Sequence, residues 1–183
     1  MSGNCTAISC WQPSRNPNNV EIIRLNDRTV EIRHIDSFFA GLLRQIPDET
    51  DPEADEKSSE RLFSKPMENP TDGFNEEWET YVEPDLRHLV QSSTETVTKD
   101  LESLKKEETG GEPEYSLEIP VSHLDQWLNT LNQARLVLAT RNRFTDAELS
   151  AEFTPIVNSQ RDMNLLQIHI YGFLQEIFLR EIE

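Results

Sequence analysis

Apolar residues recur at steps of three and four along several stretches of the chain, the spacing that places them on one face of an α-helix. The clearest of these helices is predicted to begin at Ser122, which with Asp125 resembles a capping box, and to end near Arg141. Its apolar face is marked by Leu124, Leu128, Leu131 and Leu138. Arg135 falls on that same face, four residues after Leu131, so it stands where an apolar residue is expected.

Further helices are predicted from the same spacing and from their end signals. A helix over residues 37–46 would carry Phe38 on its apolar stripe, begin after Asp36 as N-cap and end at Pro47. Others are predicted at 74–82, from Glu83-Pro84 onward, after the capping box of Thr145 and Glu148, and at 163–182 with Asp162 as cap. The last is apolar on more than one side, which is typical of a helix shared between a core and an interface.

Alternating apolar and polar residues predict strands near the N-terminus. Residues 20–25 and 29–35 read as a β-hairpin around the turn Asn26-Asp27. Its alternating apolar positions are Ile23 and Leu25 on one strand and Val30 and Ile32 on the other. Residues 105–114 are expected to form a charged loop, and 115–119 a short strand that could extend the hairpin.

These elements predict a mainly α fold, a helical bundle of about five helices with an N-terminal β-hairpin or small edge sheet. The chain would form a single helical domain over residues 20–183. It would follow a disordered tail at 1–19 and carry an acidic loop at 48–60.

The charge of the chain limits its partners. Its 183 residues carry a formal net charge of -17, which repels phosphates and argues against direct nucleic-acid binding or an anionic membrane surface. A basic protein partner would suit such a surface. The N-terminus has no basic start and no apolar h-region, so we expect a cytoplasmic location.

Residues with catalytic or metal-binding chemistry are few and isolated. Asp85 and His88 stand three apart, as in carboxylate-bridged metal bundles, but no second such pair supplies the remaining ligands. His169 lies among apolar residues, where a hydrogen-bonded core histidine is the usual outcome. We therefore expect no cofactor, no metal and no catalytic residue, and a metal-dependent enzyme is the least favoured function.

Cys5 and Cys10 lie close together in the predicted tail, where a reversible disulfide is geometrically easy. No basic residue precedes Arg15, so nothing obvious lowers the pKa of either thiol. The alternatives are a redox pair and two incidental exposed cysteines.

The segment 127–141 resembles the signature of a bacterial family of unknown function, the one numbered two thousand and seventeen. The residues that carry the resemblance are Trp127, Leu128, Leu131, Asn132, Arg135, Leu136, Leu138, Thr140 and Arg141. Gln133 and Ala139 depart from that signature, which has Asp and Gly there. The resemblance covers about residues 20–182 and implies a mostly helical bacterial domain, often encoded near the protease adaptor ClpS in actinobacteria. It implies no catalytic residues.

Arg135 and its neighbours in the signature have two interpretations. Trp127, Asn132, Arg135 and Arg141 could form a ligand or partner site. Alternatively, Arg135 could be a buried structural residue paired with Glu83, Asp85 or Glu176, because an unpaired buried charge is costly.

Three functions follow from these patterns. The first is a nonenzymatic regulatory or adaptor protein acting through protein contacts, with a possible homodimer through the apolar C-terminal helix. The second is a redox-responsive transcriptional regulator using a Cys5–Cys10 disulfide. The third, an enzyme or metal protein built on Asp85, His88 and His169, has the least support.

Overall fold

The computed structural model describes residues 20–51, 56–65, 73–107, 112–151 and 157–182. The elements in these ranges are β1 (Glu21–Asn26), β2 (Thr29–Ile35), α1 (Ser37–Glu49), α2 (Glu56–Leu62), α3 (Phe74–Tyr81), α4 (Glu83–Glu102), β3 (Lys105–Glu107), β4 (Glu114–Pro120), α5 (Leu124–Arg141), α6 (Asp146–Ser150) and α7 (Gln160–Ile182). The fold is mainly α with one four-stranded antiparallel sheet, as predicted.

The sheet has the strand order β1-β2-β4-β3. It contains the predicted hairpin and the predicted strand β4, which pairs with β2. Residues 105–107 were expected in a loop, but they form β3 at the edge next to β4. Ile22 lies opposite the buried Ile32 and packs against the core, whereas Leu25 is 45% exposed.

The first helix begins as predicted, because the Asp36 carboxylate accepts a hydrogen bond from the Phe39 amide at 2.7 Å. It does not end at Pro47. The helix continues to Glu49, and the Thr50 amide and hydroxyl both donate to the Pro47 carbonyl, which satisfies the last turn. Phe38 is 41% exposed, so the buried stripe is narrower than predicted.

The acidic segment at 48–60 contains helix at both ends. Asp48 and Glu49 belong to α1, and residues 56–60 belong to α2. Residues 52–55 lie outside the described ranges, as does the predicted tail at 1–19.

Two predicted caps are absent. A 3₁₀ turn, Val121–His123, leads into α5. No side chain forms a capping hydrogen bond at the start of α5, so the predicted capping box of Ser122 and Asp125 was wrong. The helix α7 starts at Gln160, two residues before Asp162, and the Asp162 amide donates a hydrogen bond to the Ser159 hydroxyl oxygen. The capping box of Thr145 and Glu148 is confirmed at α6.

The core is built around α5, which contacts α1, α2, α4 and α7. Its Trp127, Leu131 and Leu138 are buried, and the Trp127 ring meets the edge of Phe178 from α7 at a centroid distance of 5.8 Å. Only part of α7 faces this core, because Leu179 and Ile182 are 52% and 45% exposed. No helix in the described ranges is long and apolar enough to cross a membrane.

Candidate interaction surface on α5 and α7

The signature segment divides between two sides of α5. Trp127 and Leu131 are fully buried, whereas Asn132 is exposed and Arg135 is half-buried. The helix therefore presents core residues on one side and the polar residues of the signature on the other. Only the second group can meet a partner directly.

Trp127 is held by a buried carboxyl group. Its indole N–H donates to Asp100 of α4 at 2.9 Å, and Asp100 is only 8% exposed. The His123 Nδ1 lies 3.0 Å from the same carboxyl group. The cluster joins the C-terminal part of α4 to the start of α5, so Trp127 is a structural residue.

Arg135 reaches across to α7. Its Nη1 donates to the Gln175 side-chain carbonyl at 2.5 Å, and the Gln175 amide donates in turn to the Leu128 carbonyl at 3.0 Å. This second bond fixes which end of the Gln175 amide faces the arginine. A Cβ added to Gly172 would lie 3.3 Å from Arg135 Cζ, so the guanidinium rests against α7 where α7 has no side chain.

The predicted carboxylate partner of Arg135 is absent. Glu83 pairs with Arg87 and Glu176 pairs with Arg180, each at the i,i+4 spacing. Asp85 is exposed on α4 and forms no ion pair with Arg135. Within the described ranges no carboxylate lies within salt-bridge distance of Arg135, and its buried Nε has no hydrogen-bond partner there.

Burial dominates the electrostatics of this region. Removal from water lowers the pKa of Arg135 below its ordinary value, which shows that its surroundings disfavour the charge. Burial also lowers the pKa of His169 on α7, and the nearby Arg135 charge adds to that shift. Arginine side chains do not deprotonate in proteins at neutral pH, so Arg135 is a cation despite this shift.

Exposed apolar residues extend this region along α7. Leu179 lies four residues after Gln175 and Ile182 seven after it, so helical spacing places both on the same side of α7 as Gln175. On α5, Leu128 and Asn132 precede Arg135 by seven and three residues. We call this surface the α5–α7 face, and its members are Leu128, Asn132, Arg135, Gln175, Leu179 and Ile182.

The remaining candidate residues lie elsewhere. Arg141 ends α5 and pairs with Glu49 of α1 at 2.9 Å. Burial raises the pKa of Glu49, and Arg141 opposes that shift. This pair ties α5 to α1, and Arg141 is not part of the α5–α7 face. Cys5 and Cys10 lie outside the described residues.

Asp85 and His88 are both exposed, and no group of three or more potential metal ligands occurs in the ranges that the structure describes.

Two open grooves flank α1: one of about 630 Å³ toward α2 and α4, and one of about 550 Å³ toward α7. Arg135 lines neither of these grooves.

Sequence reasoning missed three residues of these clusters: Asp100, Gly172 and Gln175. Asp100 could have been suggested by the Trp127 indole, which needs an acceptor when buried. Gln175 and Gly172 gave no comparable signal, because a partly buried cation favours a carboxylate partner over a neutral amide. A polar residue and a glycine on an otherwise apolar helix were the available clues.

The fold and the surface define a helical domain with a polar face between α5 and α7. The family model of a domain of unknown function, DUF2017, matches residues 22–182. The chain therefore belongs to this family, as its resemblance in segment 127–141 predicted. No curated protein and no solved structure matches it.

Proposed function

We propose that this protein is a nonenzymatic regulatory or adaptor protein of the bacterial cytoplasm that binds another protein through the α5–α7 face. The observation that carries the proposal is Arg135, a half-buried cation without a nearby carboxylate in the described ranges. A partner's side chain would supply the missing contact.

The composition of the face supports a protein contact. Arginine is enriched among the residues that contribute most to binding at protein interfaces, where it lies centrally and is surrounded by groups that exclude water. Here the arginine is already desolvated in part, and the exposed Leu179 and Ile182 lie on the same side of α7 as its partner Gln175. Covering Leu179 and Ile182 would remove apolar surface from water at about 25 cal/mol per Å².

The net charge of the chain favours a partner that is basic overall. A charge of -17 attracts positive surfaces and accelerates their encounter at low salt. It also opposes direct contact with nucleic acid. We therefore expect the affinity for the partner to fall as the salt concentration rises.

A second copy of the chain is another candidate occupant, because Leu179 and Ile182 lie on the helix that sequence reasoning assigned to a homodimer. Light scattering of the purified protein distinguishes the cases. A dimer that becomes monomeric when both residues are replaced by serine would assign the face to self-association.

Affinity purification from the native host with the full chain as bait tests the adaptor function. The variant Leu179→Ser with Ile182→Ser alters the face, and Leu89→Ser is the matched control, since Leu89 is 49% exposed on α4. We expect wild type and control to retain the same proteins and the double variant to lose at least one of them. Identical sets of bound proteins for all three baits, at unchanged melting temperatures, would refute the proposal.

A further inference from the structure

We infer that Arg135 binds the carboxylate of an acidic side chain that the partner inserts between apolar residues of its own. This inference rests on the proposed function and names the chemistry of the contact. The overall charge of the protein favours a basic partner, so the anchor would be an isolated acidic residue within a basic surface.

The guanidinium is already positioned for such a ligand. It has five N–H donors, and within the described ranges it uses one, toward Gln175. The bond from Gln175 to the Leu128 carbonyl holds that acceptor in place. Because the arginine is held before binding, little side-chain entropy remains to be lost when a carboxylate arrives.

The other arginines show what Arg135 lacks. Five arginines of the described chain lie within 4 Å of a carboxylate: Arg33, Arg87, Arg141, Arg161 and Arg180. Arg33 and Arg87 are half-buried like Arg135, and the other three are exposed. Arg135 is held against α7 and pairs instead with a neutral amide. An amide carbonyl compensates a cation less than a carboxylate does, because charge-assisted bonds with both partners ionised are the stronger ones.

The surroundings of Arg135 suit an acidic residue of a protein. Arg135 lines neither of the two grooves beside α1. Asn132, three residues earlier on α5, is exposed, and Leu179 and Ile182 are exposed on the same side of α7 as Gln175, the hydrogen-bond partner of Arg135. An acidic side chain that is carried by a larger partner and flanked by apolar residues would allow that partner to cover Leu179 and Ile182 as well.

Two short peptides test the carboxylate preference directly. The probes are acetyl-Leu-Glu-Leu-amide and its glutamine counterpart, titrated into the ¹⁵N-labelled full chain while the Gly172 amide and the Arg135 Nε–H resonances are followed. We expect saturable shifts with the glutamate peptide and binding at least about tenfold weaker with the glutamine peptide, the factor for about 1.4 kcal/mol.

Variants then assign the effect to Arg135. Arg135→Gln should abolish the difference between the two peptides, and Arg135→Lys should keep only part of it, because lysine cannot bind a carboxylate in a bidentate manner. Gly172→Ala displaces the guanidinium without removing it, so we expect several-fold weaker binding of the glutamate peptide. Gly41→Ala is the matched control, since an added Cβ there meets nothing within 4 Å.

The outcomes separate this inference from the proposed function. Equal shifts with both peptides, or no shift with the glutamate peptide at about 20 mM, would overturn the carboxylate site. The adaptor function would then still be tested by the purification experiment. Discrimination that persists in Arg135→Gln also overturns the carboxylate site. Discrimination between the peptides, combined with unchanged bound proteins in the Leu179 and Ile182 variant, supports the carboxylate site and refutes the adaptor function.

Discussion

Replacing Trp127 with phenylalanine should destabilise the protein strongly, although the substitution keeps an aromatic ring at the centre of α5. The indole N–H donates to the buried Asp100 carboxyl group at 2.9 Å, and phenylalanine has no donor. Asp100 would then keep only His123 among the side chains that contact it in the described ranges. A buried acceptor that loses its donor bears the full cost of its desolvation.

The magnitude follows from two contributions. A hydrogen bond to a charged group contributes about 1.5–3 kcal/mol, and the smaller ring leaves a void that costs about 1 kcal/mol more. The sum is about 2.5–4 kcal/mol. For a chain of this size each kcal/mol lowers the melting temperature by about 2–4 °C, so we expect a decrease of about 5–15 °C.

Urea unfolding of wild type and variant measures this loss, with Trp78→Phe as the matched control. The Trp78 indole nitrogen is buried and has no hydrogen-bond partner within the described ranges, so its loss should change the free energy of unfolding by less than about 1 kcal/mol. A double-mutant cycle with Asp100→Ala should give a coupling energy of about 1–3 kcal/mol. Coupling below about 0.5 kcal/mol, or equal losses for both tryptophan variants, would refute the reasoning.

Three further perturbations have defined outcomes. Gly41→Ala should raise the free energy of unfolding by about 0.5–1 kcal/mol in urea titrations, because alanine is the better helix former and the site is open; a decrease would contradict the geometry. The pKa of His169 lies below its ordinary 6.5, so its protonation favours the unfolded chain and stability should fall as pH drops below 6.5. His169→Asn should therefore lose less stability than wild type between pH 7 and 5, and equal losses would exclude this contribution. Thr145→Ala should accelerate amide exchange at Glu148 about fivefold, the effect of losing about 1 kcal/mol of capping.

The sequence predicted those elements whose stability comes from a periodic apolar face. The helix around Trp127 and the last helix are examples, because three- and four-residue spacing persists over several turns in both. The helix α2 was missed because its residues 56–62 carry charge and no apolar stripe, and β3 was missed because a strand of three charged residues has no pattern of its own. Pro47 was given too much weight, since a proline near a helix end removes only one hydrogen bond.

The candidate site was predicted in part for a similar reason. Arg135 was conspicuous on an apolar face, but its partner lies 40 residues away on another helix. Which residue of α7 faces Arg135 depends on how the two helices pack, and local spacing carries no information on that. The same limit applied to Asp100, which is 27 residues from Trp127.

Gly172 has a consequence for attempts to make this protein more robust. A glycine in the middle of a helix lowers stability by about 0.5–1 kcal/mol relative to alanine, so stability-directed design would replace it early. That replacement would displace the Arg135 guanidinium from its contact with α7, because its Cζ lies 3.3 Å from the position of the new methyl group. Under the proposed function, thermal tolerance and recognition therefore oppose each other at this residue. A screen that selects heat resistance alone would favour chains that fold well and bind poorly.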